Sequence, residues 1–224
     1  MKKVISLLFV GLLTVSAFAI SSDGFFWQMP FGSTPEEVAV SLNGFGPDDV
    51  IVDTVNSSLM SMLVGKLYQE GADIGFDFYE NKLVTKSFRY LLTQSTEEDM
   101  RLYLEGTLTV MSELLGAPQY YYETEYNGDD FSYIKMDVAG GEEIPETEGD
   151  IDLVWSLTYG HIYSYNSGIV YTFTTEENVG FCGYFLDDEN VYMLCTISDG
   201  AAINPALDSY IAYIETLSQT GMNQ

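Results

Sequence analysis

Residues 95–118, STEEDMRLYLEGTLTVMSELLGAP, form the stretch that decides the fold. Thr96 is an N-cap residue type, and the acidic residues 97–99 fall in the first turn, where the helix dipole favours negative charge. Gly116 and Pro118 are typical of a helix end. Between these signals, apolar side chains recur every three or four positions, at Met100, Tyr103, Leu104, Leu108, Met111, Leu114 and Leu115. The spacing predicts an amphipathic helix with one buried face, and the strand-like segments on both sides predict that it lies across a sheet.

The segments around this helix have the two-residue period of half-buried strands. Ile74, Phe76 and Phe78 alternate with polar or small residues, and the turn residues Glu80 and Asn81 predict a hairpin between 73–79 and 82–92. Further strands are predicted at 50–55, 59–68, 119–126, 131–138, 151–159, 161–165, 168–174, 179–186 and 191–198.

Two more helices are predicted towards the two ends of the chain. Thr34, Pro35 and Glu37 form a capping box with proline at the first helical position, for a helix that reaches about Leu42. Asn204 and Pro205 repeat this start signature near the C-terminus. The apolar stripe that follows them consists of Leu207, Ile211, Ile214 and Leu217.

The order of helix, strands, helix, strands and helix lacks the regular βαβ alternation of a parallel sheet. We therefore predict an α+β fold in two layers, with a mainly antiparallel sheet and about three helices packed on one face of it. A capped helix followed by strands occurs twice, which suggests a weak internal duplication with halves at about 20–94 and 95–224. We expect residues 20–224 to form a single domain.

Residues 1–19 have the three regions of an export signal. Lys2 and Lys3 are the charged region, residues 4–13 the apolar region, and Ala17 and Ala19 a small-x-small cleavage site. The apolar run is shorter than the roughly 20 residues of a spanning helix, which makes a membrane anchor the weaker interpretation. The protein is therefore expected to be exported, periplasmic or secreted, with no membrane span in the mature chain.

The charge balance is strongly acidic. Removal of the predicted signal leaves six basic and 34 acidic residues, a net charge of −28. From residue 102 onwards there are 21 acidic residues and a single basic one, Lys135. Phosphate recognition needs lysine and arginine, so nucleic acid and anionic membranes are disfavoured as partners. Solubility, including tolerance of a salty habitat, explains such a charge; a basic partner or a bound cation is the alternative.

Signals for catalysis and for cofactors are weak. His161 is the only histidine, which excludes a zinc site built from several histidines, and no GxSxG motif accompanies it. The acidic loop at 139–150 lacks the ligand spacing of an EF-hand, so no metal and no cofactor is predicted. A pair of carboxylates could still serve a glycosidase-like hydrolase, and the sequence alone does not single out such a pair.

The two cysteines are predicted to lie opposite each other in one hairpin. If the turn is centred on Asp188 and Glu189, Cys182 falls directly across from Cys195. Two cysteines in an exported chain fit a structural disulfide, whereas a redox-active pair is typically CxxC. Two free buried thiols are the alternative.

The entry segment FGSTPEEV at residues 31–38 and the later Leu115-Gly116-Ala117-Pro118 carry a resemblance. The chain resembles uncharacterised exported bacterial proteins that have a W/F-G-x-S/T-x-E-E-V entry helix, an aromatic-Gly-x-Pro helix exit and later sheet strands. Leu115 departs from the aromatic residue of that exit. The resemblance implies a mixed α/β exported domain and implies no activity.

Tyrosine is the one functional lead. The chain has 17 tyrosines, many of them on predicted strands, and an exposed row of them would form an amphipathic contact surface for protein or glycan. The alternative is that these rings simply fill strand positions. The favoured hypothesis is a non-enzymatic binding or interaction module, with the carboxylate hydrolase and a purely structural envelope protein as alternatives. The residues proposed for binding are Tyr121, Tyr159, Tyr163 and Tyr165.

Overall fold

The computed structural model describes most of the chain in separate ranges. These ranges are 26–42, 50–54, 58–65, 72–93, 97–126, 131–145, 167–186 and 190–206, with the single residues 208, 209, 212 and 216. The predicted export signal, the predicted strands at 151–159 and 161–165, and His161 lie outside the described residues.

Nine antiparallel strands in the described ranges form one sheet, in the order β1-β2-β3-β4-β9-β8-β7-β5-β6. This confirms the predicted α+β class with its antiparallel sheet. The strands are β1 (Val50–Thr54), β2 (Leu59–Gly65), β3 (Ala72–Tyr79), β4 (Lys82–Thr93), β5 (Tyr120–Tyr126), β6 (Phe131–Asp137), β7 (Ser167–Thr174), β8 (Asn178–Leu186) and β9 (Asn190–Asp199).

The chain builds the sheet from its two edges towards the middle. Strands β1 to β4 follow one another as neighbours, whereas β5 and β6 begin again at the opposite edge. The last strand, β9, then fills the gap between β4 and β8, so that Phe88 pairs with Cys195. The two predicted halves of the chain therefore share one sheet.

Two helices are described over their full length, and each shows one of its predicted end signals within the described residues. In α1 (Pro35–Ser41) the Thr34 hydroxyl accepts from the Glu37 amide at 3.3 Å, and the Glu37 carboxylate accepts from the Thr34 amide at 2.9 Å. The helix α2 (Glu97–Leu115) is followed by Gly116 in the left-handed region, at φ 83°, where glycine carries no steric cost. The Gly116 amide donates to the Ser112 carbonyl at 2.9 Å, which caps the helix.

The main core joins both helices to the middle of the sheet. Ile74, Phe76 and Phe78 are almost fully buried, which confirms the predicted inward face of β3. The same cluster contains Val38 and Leu42 at α1, Val110 and Met111 of α2, and the two cysteines. The helix α2 packs chiefly on β8, and also contacts β7 and β9.

A buried lysine fixes the segment before α1 to this core. The Lys86 ammonium of β4 donates to the carbonyl oxygens of Trp27 at 2.7 Å and Met29 at 3.0 Å. It also lies 4.4 Å from the centroid of the Phe31 ring, in cation–π geometry. Burial lowers the pKa of Lys86 to about 8. The segment is thus held by a charge whose partners are main-chain carbonyls.

The described part of the third helix packs in a separate cluster. Residues 203–206 are helical, so the helix begins before the predicted cap residue Asn204. Ala206 packs with Leu59 and Val84. The neighbouring strand residue, Met60, packs against the main core instead, and successive strand residues point to opposite faces. The packing of all three helices on one face stays a prediction.

Candidate binding groove

An open pocket of about 370 Å³ lies on the sheet where β8, β7, β5 and β6 run side by side. Most of its lining side chains belong to one face of the sheet. We call these the acidic groove: Glu123, Glu125, Ser132, Ile134, Ser167, Ile169, Tyr184 and Leu186.

The register places the groove residues in two rows across the four strands. Glu123 of β5 pairs with Ile134 and Ile169, and Ile169 pairs in turn with Tyr184. Paired residues point to the same face of a sheet, so these four side chains form one row. The second row consists of Glu125, Ser132, Ser167 and Leu186. Each row therefore has one carboxylate beside aliphatic, aromatic or hydroxyl groups.

The groove is exposed, acidic and partly apolar. Glu123 and Glu125 are both exposed, and Ile134 keeps 45% of its surface accessible. None of the described lining residues is lysine or arginine, so nothing in that lining neutralises the two carboxylates. Glycosidases hold their general acid in a desolvated setting, whereas both carboxylates of this groove are exposed. The arrangement is suited to contact and charge recognition.

A pair of stacked tyrosines continues the same face beyond the groove. Tyr121 and Tyr171 are directly paired across β5 and β7, and their ring centroids are 5.2 Å apart with an interplanar angle of 27°. Both side chains are half-buried. Burial raises the pKa of Tyr171, and Tyr121, Tyr184, Cys182 and Glu123 raise it further. The pair is therefore electrostatically connected to the acidic groove.

Of the predicted binding residues, the described part of the chain contains only Tyr121, which lies in this stacked pair. Tyr159, Tyr163 and Tyr165 lie outside the described residues. The proposed set of binding residues did not include Glu123, Ile134 and Tyr184. The signal for Glu123 was present in YYYETEY at residues 120–126, because strand alternation places Tyr121, Glu123 and Glu125 on one face. Tyr122, on the other face, is buried against Tyr133 with ring centroids 6.0 Å apart.

The cysteines lie under α2, on β8 and β9, one and two strands beyond Tyr171. Cys182 pairs directly with Cys195, as the hairpin symmetry predicts. Both are buried free thiols, and the Cys195 thiol donates to the Cys182 sulfur at 3.5 Å. Burial and the Cys182 sulfur raise the pKa of Cys195, although a hydrogen bond with Thr107 opposes the rise. The disulfide between them stays a prediction.

The opposite face has a polar cluster of a different kind. The Ser61 hydroxyl donates to the Asp77 carboxylate at 2.6 Å, and Thr85 and Ser198 are hydrogen-bonded at 2.9 Å. Burial raises the pKa of Asp77, while Ser61 and the Arg89 charge oppose the rise. Because its hydroxyl groups bond to one another and to the one carboxylate, this cluster is suited to holding neighbouring strands in register.

The described residues give no support for a metal site or a membrane helix. Within these ranges, no three His, Cys, Asp or Glu side chains converge as metal ligands. The helices that the structure describes are too short or too polar to cross a membrane.

Comparison of the chain with protein-family models, with curated proteins and with solved structures gives no significant match.

Proposed function

We propose that this protein is an exported, non-enzymatic binding module that holds a protein or glycan partner in the acidic groove and on the adjoining Tyr121–Tyr171 pair. The observation that carries the proposal is an open pocket of about 370 Å³ on the sheet, floored by Ile134, Ile169 and Tyr184. Aromatic side chains that are half-buried offer a rigid apolar surface and a polar hydroxyl, which is what interfaces select.

We infer that the helix layer leaves this surface uncovered. Residues of α1 and α2 join the same core cluster, as expected if both pack on one face. Tyr103 and Leu104 of α2 pack against Val191 and Met193, as do Tyr184 and Leu186 of the groove. The helix is therefore a neighbour of the groove at β8, while β5 and β6 lie further from it.

The hydrolase is the second candidate, because Glu123 and Glu125 lie two residues apart on one strand face. The α-carbons of such residues are roughly 6–7 Å apart, so their carboxyl groups can reach the separation of a catalytic pair. Their exposure argues against it, since one of the two must be kept protonated by a desolvated setting.

The test is binding of the purified mature chain to printed arrays of random-sequence peptides and of oligosaccharides. The groove variant is Ile134→Lys, whose ammonium would pair with Glu123 and whose stem would fill the groove, and the matched control is Val52→Lys. Both residues are exposed aliphatics on outermost strands of the sheet, Ile134 at 45% and Val52 at 53% exposure. We expect Ile134→Lys to lose the array features that the wild type and Val52→Lys retain.

Two results would overturn the proposal. One is a wild-type chain that retains no array feature above background. The other is retention that Ile134→Lys leaves unchanged. Cleavage of an arrayed oligosaccharide that Glu123→Gln abolishes would instead favour the hydrolase.

A further inference from the structure

We propose that the partner of the acidic groove is a cationic peptide segment with two basic residues at positions i and i+2. The assignment of this partner rests on the proposed function. A neutral glycan and an uncharged peptide are the occupants that the experiment below distinguishes from it.

The charge of the groove is the first argument. Its described lining has two exposed carboxylates and no basic side chain, so an uncharged ligand would cover two charges without compensating them. Covering an unpaired charge is costly, whereas an ammonium or guanidinium group would pair with it. A cation is therefore the ligand group that the groove favours.

The spacing of the two carboxylates is the second argument. Glu123 and Glu125 lie at alternate positions of β5, so their α-carbons are roughly 6–7 Å apart along the strand. An extended peptide that runs along β5 over this face of the sheet has the same repeat, and its residues i and i+2 point to the same side. Each of two such basic residues can then meet one carboxylate.

The apolar residues of the groove fit the stems of long basic side chains. Ile169 and Ile134 flank Glu123, and Leu186 lies in the same row as Glu125. Lysine and arginine place their methylene groups on apolar surface while the charged end reaches a polar partner. This mixture of aliphatic floor and acid supplies contacts for both the stem and the charged end of a basic side chain.

The charge of the rest of the chain supports the same partner. Beyond residue 101 the single basic residue is Lys135, which is buried with its ammonium 4.4 Å from the Tyr120 ring centroid. No other lysine or arginine in this half of the sequence competes for the groove. A surface potential of one sign also attracts a cationic partner from a distance and speeds its association.

The probes are three capped peptides and one sugar. The first peptide contains Lys-Thr-Lys between serines, the second replaces both lysines by glutamine, and the third has the two lysines adjacent. A neutral chitin oligomer is the sugar. Binding to the mature chain is measured by calorimetry at about 0.05 M and about 0.5 M NaCl, since exposed charge pairs are screened across that range.

Two double variants are compared, and each replaces two neighbouring carboxylates by neutral amides. Glu123→Gln with Glu125→Gln changes the groove, and Glu176→Gln with Glu177→Gln changes the turn between β7 and β8, where both residues are exposed. That turn follows the opposite end of β7 from Ser167, so it is distant from the groove. We expect the groove variant to weaken binding of the Lys-Thr-Lys peptide at least about tenfold, and the turn variant to change it less than about twofold. Far-UV circular dichroism checks that both variants are folded.

Each remaining outcome counts against the inference in a different way. Equal weakening by both variants would mean that net charge alone attracts the peptide, which overturns the site. Equal binding of the glutamine peptide, or binding of the sugar, would overturn the cationic partner. The proposed binding function would stand if Ile134→Lys abolished the binding of that peptide or sugar. Failure of all four probes would overturn the cationic partner, and the arrays would then decide whether the binding function survives.

Discussion

At the scale of single residues, Lys86 is unusual because the charged end of its side chain is buried. Its ammonium is buried and donates to the carbonyls of Trp27 and Met29. Burial places its pKa at about 8, below the ordinary value of 10.5. The unfolded chain therefore binds a proton more tightly than the folded chain does, and this difference makes folding depend on pH.

We expect Lys86 to make wild-type stability rise between about pH 8 and pH 10.5 relative to Lys86→Met. Below pH 8 the lysine is charged in both states and the cost of burying its charge is fully present; the cost is relieved as pH rises through the folded pKa. The slope is at most about 1.4 kcal/mol per pH unit. The measurement is urea unfolding of both proteins at a series of pH values. The difference in unfolding free energy between the two proteins removes the contribution of the tyrosines, which is the same in both. Stability curves that run parallel from about pH 8 to pH 10.5 would contradict the prediction.

The contrast between Lys86 and Thr34 shows what the sequence reveals about single residues. The capping box was predictable because Thr34 and Glu37 interact across three positions of one local motif. A lysine on a strand, by contrast, ordinarily reaches solvent. The acceptors of Lys86 are main-chain carbonyls nearly 60 positions earlier in a segment without periodicity, and no local pattern predicts that contact.

At the scale of elements, the backbone of β7 leaves no room for a side chain at Gly183 of β8. A β-carbon built there would lie 2.3 Å from the Ile169 carbonyl oxygen and 2.9 Å from the Val170 α-carbon. Both are main-chain atoms, so a neighbouring strand would have to move to admit a side chain. Gly106, in the exposed face of α2, is the opposite case, because nothing lies within 4 Å of its β-carbon position.

We therefore expect Gly183→Ala to destabilise the protein by about 1–3 kcal/mol, since overpacking forces the backbone to shift. Gly106→Ala should stabilise it by about 0.5–1 kcal/mol, because alanine loses less backbone freedom in a helix. Denaturant unfolding of both variants and the wild type measures these changes. A neutral Gly183→Ala would show that the two strands are further apart than described.

The elements themselves were largely predictable, and their order in the sheet was not. Alternation and turn residues are local signals, which is why the hairpin at Glu80 and Asn81 was predicted, and both residues adopt the positive φ of a tight hairpin turn. The pairing of β4 with β9 joins residues about a hundred positions apart, as Thr85 with Ser198 shows. Such pairing depends on the whole core, which no window of sequence contains. The neighbours of Glu123 could not be predicted for the same reason, because the sequence does not indicate that β7 lies beside β5.

At the scale of the whole molecule, the dominant property is a net charge of −26, or −28 without residues 1–19. Like charges on a compact surface repel one another and favour expansion, and dissolved salt screens that repulsion. The charge is uneven, and its acidic excess is largest after residue 101.

We expect the melting temperature of the mature chain to rise as NaCl increases from about 0.05 M to about 1 M, because the Debye length falls from well above 10 Å to about 3 Å. Calorimetry in NaCl and in KCl separates two causes. Equal increases in both salts indicate screening, whereas an increase confined to one cation indicates that the ion binds. A melting temperature independent of salt would show that self-repulsion contributes little to stability.

The burial of Lys135 has a consequence for how this protein is degraded. Proteases that cut after lysine or arginine find one such residue between position 102 and the C-terminus, and its side chain is 6% exposed. Cleavage needs a segment that can unfold locally into the protease, and a strand bonded on both sides resists this. Lys135 lies on β6. On one side it pairs with Tyr122 of β5, and on the other its carbonyl accepts from the Ile144 amide at 2.9 Å. The acidic half of the chain should therefore survive such proteases as one long fragment, while enzymes that cut at acidic residues would find sites throughout it.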